Sequence, residues 1–172
     1  QMCIRDRSRI ILYNFSNLSG YAFSQEVTTR LIKDFSQIVG MKDSTGNLWN
    51  NFKSKNFSMF VGSEKKLIDN LKIGGAGVIS ATTNFSGSLA KKVYDDFKKT
   101  GSSNEEEKLK DIRSAFDETG NLITALHTLK SIENKAYANL LPPLELLNEN
   151  KKDELIKKLK GLGVLNNKNI AA

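Results

Sequence analysis

Two side chains in this sequence have the types and the setting for carbonyl chemistry, Lys42 and Tyr13. Lys42 ends the apolar run "QIVGMK" and is followed by the turn-forming Asp43-Ser44-Thr45-Gly46. A lysine is expensive to bury unless it is paired or neutralised. An amine partly desolvated by apolar neighbours has a lowered pKa and serves as a nucleophile near neutral pH. It can attack a ketone and form a Schiff base, the electron sink for breaking an adjacent C–C bond. Tyr13 lies near the end of the preceding apolar run, "RIILYNF". If the two runs are neighbouring parallel strands, both side chains reach one pocket, and the phenol can shuttle the proton. Spacing alone leaves plainer readings open. A lysine at a strand end also snorkels to solvent, and a tyrosine there is also a core or rim aromatic.

The elements that must carry these residues alternate along the chain. Arg9 to Phe15 reads as a strand, and Ser24 can cap a helix with Val27, Leu31 and Phe35 on one face. "QIVGMK" is the second strand, followed by a short helical or loop segment from Leu48 to Lys55. "FSMFVG", Phe57 to Gly62, is the third strand. Ser63 to Ile73 reads as a helix with Leu67, Ile68 and Leu71 inward, closed by Gly74-Gly75. "AGVISATTN" is the fourth strand, and Ser88 to Thr100 is a helix carrying Leu89, Val93 and Phe97. Strands alternating with single helices argue for parallel βα units. After Gly101 the strand signals stop. Helical patterns follow over Asn104 to Glu118, carrying Leu109, Ile112 and Phe116, over Asn121 to Asn134, carrying Leu122, Leu126, Leu129 and Ile132, and, after a proline-marked link "LLPPLELL", over Lys151 to Leu162, carrying Leu155, Ile156, Leu159 and Leu162. A complete (β/α)8 barrel takes about 250 residues. The expected architecture is therefore α/β, the C-terminal half of such a TIM barrel over residues 8–101, followed by a helical region over residues 102–172, with the N-terminal half missing. A small open sheet of flavodoxin type is the alternative, and it gives no reason for Lys42.

Composition narrows the function classes. The 172 residues are 39% hydrophobic and 26% charged, as in globular proteins. No apolar run approaches the ~20 residues of a membrane helix. The net charge is +7, but lysine pairs such as Lys91-Lys92 and Lys98-Lys99 lie on helical stretches with acidic residues between them. That pattern reads as solvated helix faces, with neither a nucleic-acid nor a membrane partner expected. One cysteine, Cys3, and one histidine, His127, give no zinc constellation, and His127 reads as a helix-face residue. Asn14, Asn17, Asn56 and Asn84 each begin an Asn-x-Ser triplet, read as chance matches in an Asn- and Ser-rich chain. Residues 1–7, "QMCIRDR", match the translation of a transposase mosaic-end adapter over Met2 to Arg7. They are expected to be a sequencing-library remnant, with the natural sequence continuing upstream of Ser8. A genuine frayed terminus is the alternative.

The segments "YNFSNLSG", "IVGMKDSTGNL", "MFVGSEKKLIDNL" and "GGAGVISATTN", in this order and spacing, resemble the pyruvate-dependent class I aldolases, the dihydrodipicolinate synthase and N-acetylneuraminate lyase superfamily. The resemblance implies a cytoplasmic, commonly tetrameric barrel enzyme without metal or organic cofactor, acting on pyruvate and an aldehyde. It implies Lys42 as the Schiff-base lysine and Tyr13 as the proton relay. It places Ser44, Gly62 and Ile79 beside the substrate, Ile79 through its backbone carbonyl. Departures matter too. Ser16 replaces a proline, and Leu18 stands where the synthases carry a carboxylate-binding arginine. Glu64-Lys65 stand where sialic-acid lyases carry Asp-Glu, and Ala81 replaces a serine that assists them. A 2-keto-3-deoxy sugar acid or related hydroxy-2-keto acid is therefore the expected substrate. The carboxylate-binding Gly-Thr-Thr-type loop of the family's upstream half has no counterpart here. This chain is expected to have little or no activity alone.

Overall fold

The structure, a computed structural model, describes residues 8–46 and 48–165. The adapter-like residues 1–7, Cys3 among them, and Asn47 lie outside the described residues. Strands β1 (Ile10–Asn14), β2 (Ile38–Asp43), β3 (Ser58–Val61) and β4 (Gly77–Val78) form one sheet in the order β1-β2-β3-β4. Every pairing is parallel. Helices α1 (Ser16–Ser19) and α2 (Gln25–Asp34) join β1 to β2. A 3-10 turn (Glu64–Lys66) and α3 (Leu67–Lys72) join β3 to β4. Beyond the sheet come α4 (Thr83–Thr100), α5 (Glu106–Asp117), α6 (Leu122–Glu133) and α7 (Glu149–Gly161).

The register fixes which residues share a face. Tyr13, Lys42, Phe60 and Gly77 are partners in one row. Asn14, Asp43, Val61 and Val78 make the next. Successive strand residues point to opposite faces, so the two rows face opposite ways. The Asp43 side is closed: Met41, Leu48, Phe52 and Met59 form a core against which Leu12, Phe23 and Ile32 pack. Burying each such side chain contributes about 1.5–3 kcal/mol. Gly40 lets β2 and β3 come this close, since a Cβ there would stand 2.6 Å from the Ser58 carbonyl oxygen.

Several sequence expectations hold in type and shift in extent. Ser24 caps α2, its hydroxyl accepting from the Val27 amide at 3.1 Å. The buried line of that helix, however, runs through Thr28 with Ile32 packed on the core, and Phe35 is exposed. Phe35 is the C-cap with extended backbone, which takes it out of the helical register of Val27 and Leu31. The expected helix from Ser63 begins as a tight 3-10 turn that directs Glu64 inward, and Gly74 closes the element at φ 87°. The expected strand Ala76 to Asn84 keeps only Gly77–Val78. Its ladder ends because β3 ends: the Ile79 amide reaches the Val61 carbonyl at 3.0 Å, and among the described residues β4 has no other partner strand. The chain then turns into α4 five residues ahead of its expected start at Ser88, with a non-helical step at Ser86. Leu48 to Phe52 is a single turn, both the Asn51 and Phe52 amides donating to the Leu48 carbonyl.

The chain divides into two compact units. One holds the residues up to Ser80 with Phe97–Gly101, the other Ala81–Asp96 and the residues from Ser102 onward. In the second unit Asn121 caps α6 and Asn148 caps α7. Ile112, Phe116, Leu129, Leu155 and Leu159 anchor its core, matching the stripes expected from the sequence. Its surface carries Lys91–Asp95, Lys92–Asp96 and Lys110–Glu106 pairs at helical spacing, so these lysines are solvated helix faces. Among the described residues no helix is long and apolar enough to cross a membrane.

Candidate active site

The sheet's C-terminal ends bring the sequence candidates to one edge. Tyr13 and Lys42 are direct register partners, which sets their Cα atoms about 4.8 Å apart across neighbouring strands. The Lys42 Nζ lies 4.1 Å from the centroid of the Tyr13 ring. The ammonium therefore sits on the ring's negative face, a contact worth about 0.5–1 kcal/mol where solvent has access. Phe15 stacks beside Tyr13 at 5.8 Å between centroids. Among the described residues the amine has no ion-pair partner. The face around it is apolar and half open: Ile11 and Tyr13 are each 45% exposed and Ile79 is 39% exposed.

Ser44 and Gly62 also meet. The Ser44 amide donates to the Asn14 carbonyl at 2.9 Å, and the Gly62 amide to the Asp43 carbonyl at 3.2 Å. A Cβ on Gly62 would overlap the Ser44 hydroxyl, so glycine is what lets the two loops pass. Ile79 follows β4, two strands from Lys42, its backbone tied to Val61. The structure thus groups Tyr13 with Lys42 and Ser44 with Gly62, and puts Ile79 at the far side of the same edge. Leu18, the residue expected in place of the synthases' arginine, is 77% exposed on α1.

The opposite face carries groups that the motif reading passed over. Asp43 is buried, and its Oδ1 accepts from the Thr45 hydroxyl at 2.6 Å, the Thr45 amide at 3.0 Å and the Asn14 amide group at 3.1 Å. Its Oδ2 accepts from the Leu48 and Trp49 amides at 2.7 and 2.9 Å. Burial pushes the Asp43 carboxyl upward, but the Thr45 hydroxyl and the three backbone amides outweigh it and hold the group below the ordinary carboxylate range. Asn14 is wholly buried; it also donates to the Thr45 hydroxyl at 3.2 Å and accepts from the Phe23 amide at 3.0 Å. A signal was present in the sequence: two polar residues at strand positions that alternation assigns to the apolar side. Glu64 is buried as well and accepts from the Ser80 hydroxyl at 2.9 Å, joining the loops after β3 and β4. Its carboxylate is engaged inside the protein.

His127 lies on α6 and donates through Nδ1 to the Tyr137 carbonyl at 2.8 Å, in keeping with a helix-face residue. Among the described residues no three His, Cys, Asp or Glu side chains come together in a way that could hold a metal ion.

Known proteins resemble this chain in sequence and fold. The chain is 28% identical over 169 residues to the 4-hydroxy-tetrahydrodipicolinate synthase of Methanopyrus kandleri, a match covering 91% of this chain and 54% of that protein. It is 39% identical over 93 residues to the probable 2-dehydro-3-deoxy-D-pentonate aldolase of Escherichia coli, covering 49% of this chain and 31% of that one. The chain thus spans about half the length, or less, of the curated relatives it matches. Among solved structures, a prophage protein of the dihydrodipicolinic acid synthase family from Escherichia coli K12, in complex with pyruvate, superposes with a TM-score of 0.75 at 20% identity, over 90% of this chain and 56% of that one. That superposition shows the α/β fold. The Dihydrodipicolinate synthetase family matches residues 4–162, nearly the whole chain, and the chain belongs to that family.

Proposed function

We propose that this chain is the C-terminal half of a (β/α)8-barrel class I aldolase, with Lys42 as Schiff-base nucleophile and Tyr13 as acid/base. The observation that carries the reading is the Lys42 amine stacked on Tyr13, without a carboxylate partner among the described residues, at the C-terminal edge of a parallel sheet. In such barrels that edge is where chemistry is built. β1 and β4 each have one neighbour among the described strands, consistent with a sheet continued by further βα units.

The chemistry balances on these groups. The Nζ lone pair attacks the ketone carbon, the oxygen takes up protons and leaves as water, and an iminium forms. Tyr13, having given its phenol proton to the departing water, accepts as phenolate the proton of the substrate's hydroxyl as the C–C bond breaks; an aldehyde departs, and the bond's electrons pass to the iminium to give an enamine. Protonation and hydrolysis return pyruvate and free Lys42. General acid–base help of this kind contributes about 10²–10⁴-fold.

A 2-keto-3-deoxy sugar acid is the preferred substrate class. Leu18 offers no guanidinium for a second carboxylate, and one relative is named as a pentonate aldolase. A second reading, condensation of pyruvate with aspartate semialdehyde, draws on the relative named as a 4-hydroxy-tetrahydrodipicolinate synthase. A coupled assay with each substrate separates the two. Borohydride trapping with pyruvate on a full-length protein containing this chain tests the mechanism. An adduct on Lys42 is expected; its absence, or its survival in Lys42→Ala, would sink the assignment and leave a non-catalytic homologue. The 172-residue chain alone is expected to turn over little and to associate through open strand edges. A monomeric, fully active chain would refute that.

A further inference from the structure

We infer that Asp43 and Asn14 are positioning residues for the amine chemistry assigned to Lys42 and Tyr13, acting through the backbone from the opposite face of the sheet. The inference rests on the Schiff-base reading above. Asp43 directly follows Lys42, and Asn14 directly follows Tyr13. Each buried polar residue therefore shares a peptide unit with one reactive residue while pointing away from it. Their 3.1 Å bond links β1 to β2 in the row next to the Tyr13–Lys42 row.

A carboxylate is a costly choice at this position. In the same row β3 carries Val61, a simple apolar core residue. Burying an ion is unfavourable unless it is well bonded. Four of the bonds that compensate Asp43 go to the turn just after it, from the Thr45, Leu48 and Trp49 amides and the Thr45 hydroxyl, and the fifth comes from Asn14 on β1. Asn14 in turn holds the Phe23 amide. Two side chains thus tether both segments that leave the sheet just beyond Tyr13 and Lys42. An apolar pair could fill the volume but could not fix those segments in direction.

The consequence reaches the front face through geometry. The direction of the Lys42 Cα–Cβ bond is set by the backbone that Asp43 anchors. Its Nζ stands at the end of a long, flexible stem, so a small backbone rotation moves the amine further than it moves the strand. Reacting atoms must approach to about 3–3.5 Å, and about 1 Å of misplacement can cost on the order of 100-fold in rate.

Two measurements test this. In the 172-residue chain, Asp43→Asn turns an amide NH2 toward backbone donors, so hydrogen exchange at the Leu48 and Trp49 amides should quicken. In the full-length protein, the rate of borohydride-trapped imine formation with pyruvate, per folded molecule, should fall about 10- to 100-fold, with the half-saturating pyruvate concentration moved less than about threefold. The double swap Asn14→Asp/Asp43→Asn restores one amide–carboxylate pair and should recover part of the rate. If Asp43→Asn fails to fold, Asn14→Ser, which keeps the carboxylate and its amide donors, should show the same rate loss at smaller size. A variant trapped at the wild-type rate per folded molecule, with only its folded fraction reduced, would overturn positioning and leave the Schiff-base reading intact. Wild-type protein giving no adduct at all would overturn both.

Discussion

The two faces of the four-stranded sheet are built on opposite principles. On one, Tyr13 and Lys42 lie half open beside Ile11, and the amine rests on an aromatic ring with no ion-pair partner among the described residues. On the other, Asn14 and Asp43 are buried, bonded to each other across the strands and to the backbone amides of Phe23, Leu48 and Trp49. The residue types are as polar on the closed face as on the open one. What differs is commitment: the closed face spends its polar groups on the protein's own backbone, and the open face leaves an amine available to something else. A half-open apolar surface around an uncommitted amine is unfavourable for a strand edge in isolation. It suits a surface that further elements cover and a carbonyl substrate reaches.

The sharpest break of this comparison is Lys42→Ala. On the proposed function it removes every borohydride-trapped adduct from the full-length protein. Stability should change by less than about 1 kcal/mol, as for a half-exposed residue outside the packed core. If unfolding shifted by several kcal/mol instead, the lysine would be a structural member and the faces would not differ as argued. Next in size is Tyr13→Phe, which keeps the ring under the ammonium and deletes only the phenol. Turnover should drop about 10²–10⁴-fold while imine formation remains measurable. Equal loss of both steps would place Tyr13 in binding and not in proton transfer.

The front face was the legible one. Lys42 and Tyr13 stand out because amine and phenol at successive strand ends form a recognisable pair, and the order of the motifs strengthens it. The parallel βα order follows from periodicity, and the periodic Ile112, Phe116, Leu155 and Leu159 are the residues that pack the helical core. The reverse face was not read, although its residues are adjacent in sequence. Asp43 looked like a turn former because "DSTG" has turn composition; its register puts it inside β2 and not in the turn. The length of β4 was not legible either. A run such as "AGVISATTN" has strand composition throughout, yet pairing stops where the neighbour stops, and Val61 is where β3 stops. Phe35 failed for the same kind of reason, since a stripe counted along the sequence does not know where the helix ends.

On the closed face the expected effects are on stability. Asp43→Ala leaves the Leu48 and Trp49 amides without their acceptor and should cost about 3 kcal/mol, measured by denaturant unfolding of the chain. A loss under about 0.5 kcal/mol would mean that water takes over the bonds easily, as at an ordinary surface site. Gly62→Ala, at the crossing with Ser44, should cost about 1–3 kcal/mol through overpacking. Because Ser44 lies on the loop after Lys42, relief by Ser44→Gly in the same chain is the control. If the double change is no more stable than Gly62→Ala alone, the clash is not with the Ser44 side chain.

The smallest effect is one of acidity, and its sign follows from Asp43. Its carboxyl is held below the ordinary range in the folded chain, so the folded state favours the ionised form more than the unfolded state does. The stability this supplies is present above an ordinary carboxylate value of about 4 and is lost as pH falls through the lower folded value. The other carboxylates contribute equally to wild type and to Asp43→Asn, so they cancel in the difference between them. That difference in unfolding free energy should be flat above about pH 5 and should narrow as the pH falls below about 4. A gap that stays constant down to low pH would show that charge on Asp43 contributes nothing. The closed face would then be held by shape alone, and the contrast with the open amine would lose its electrostatic half.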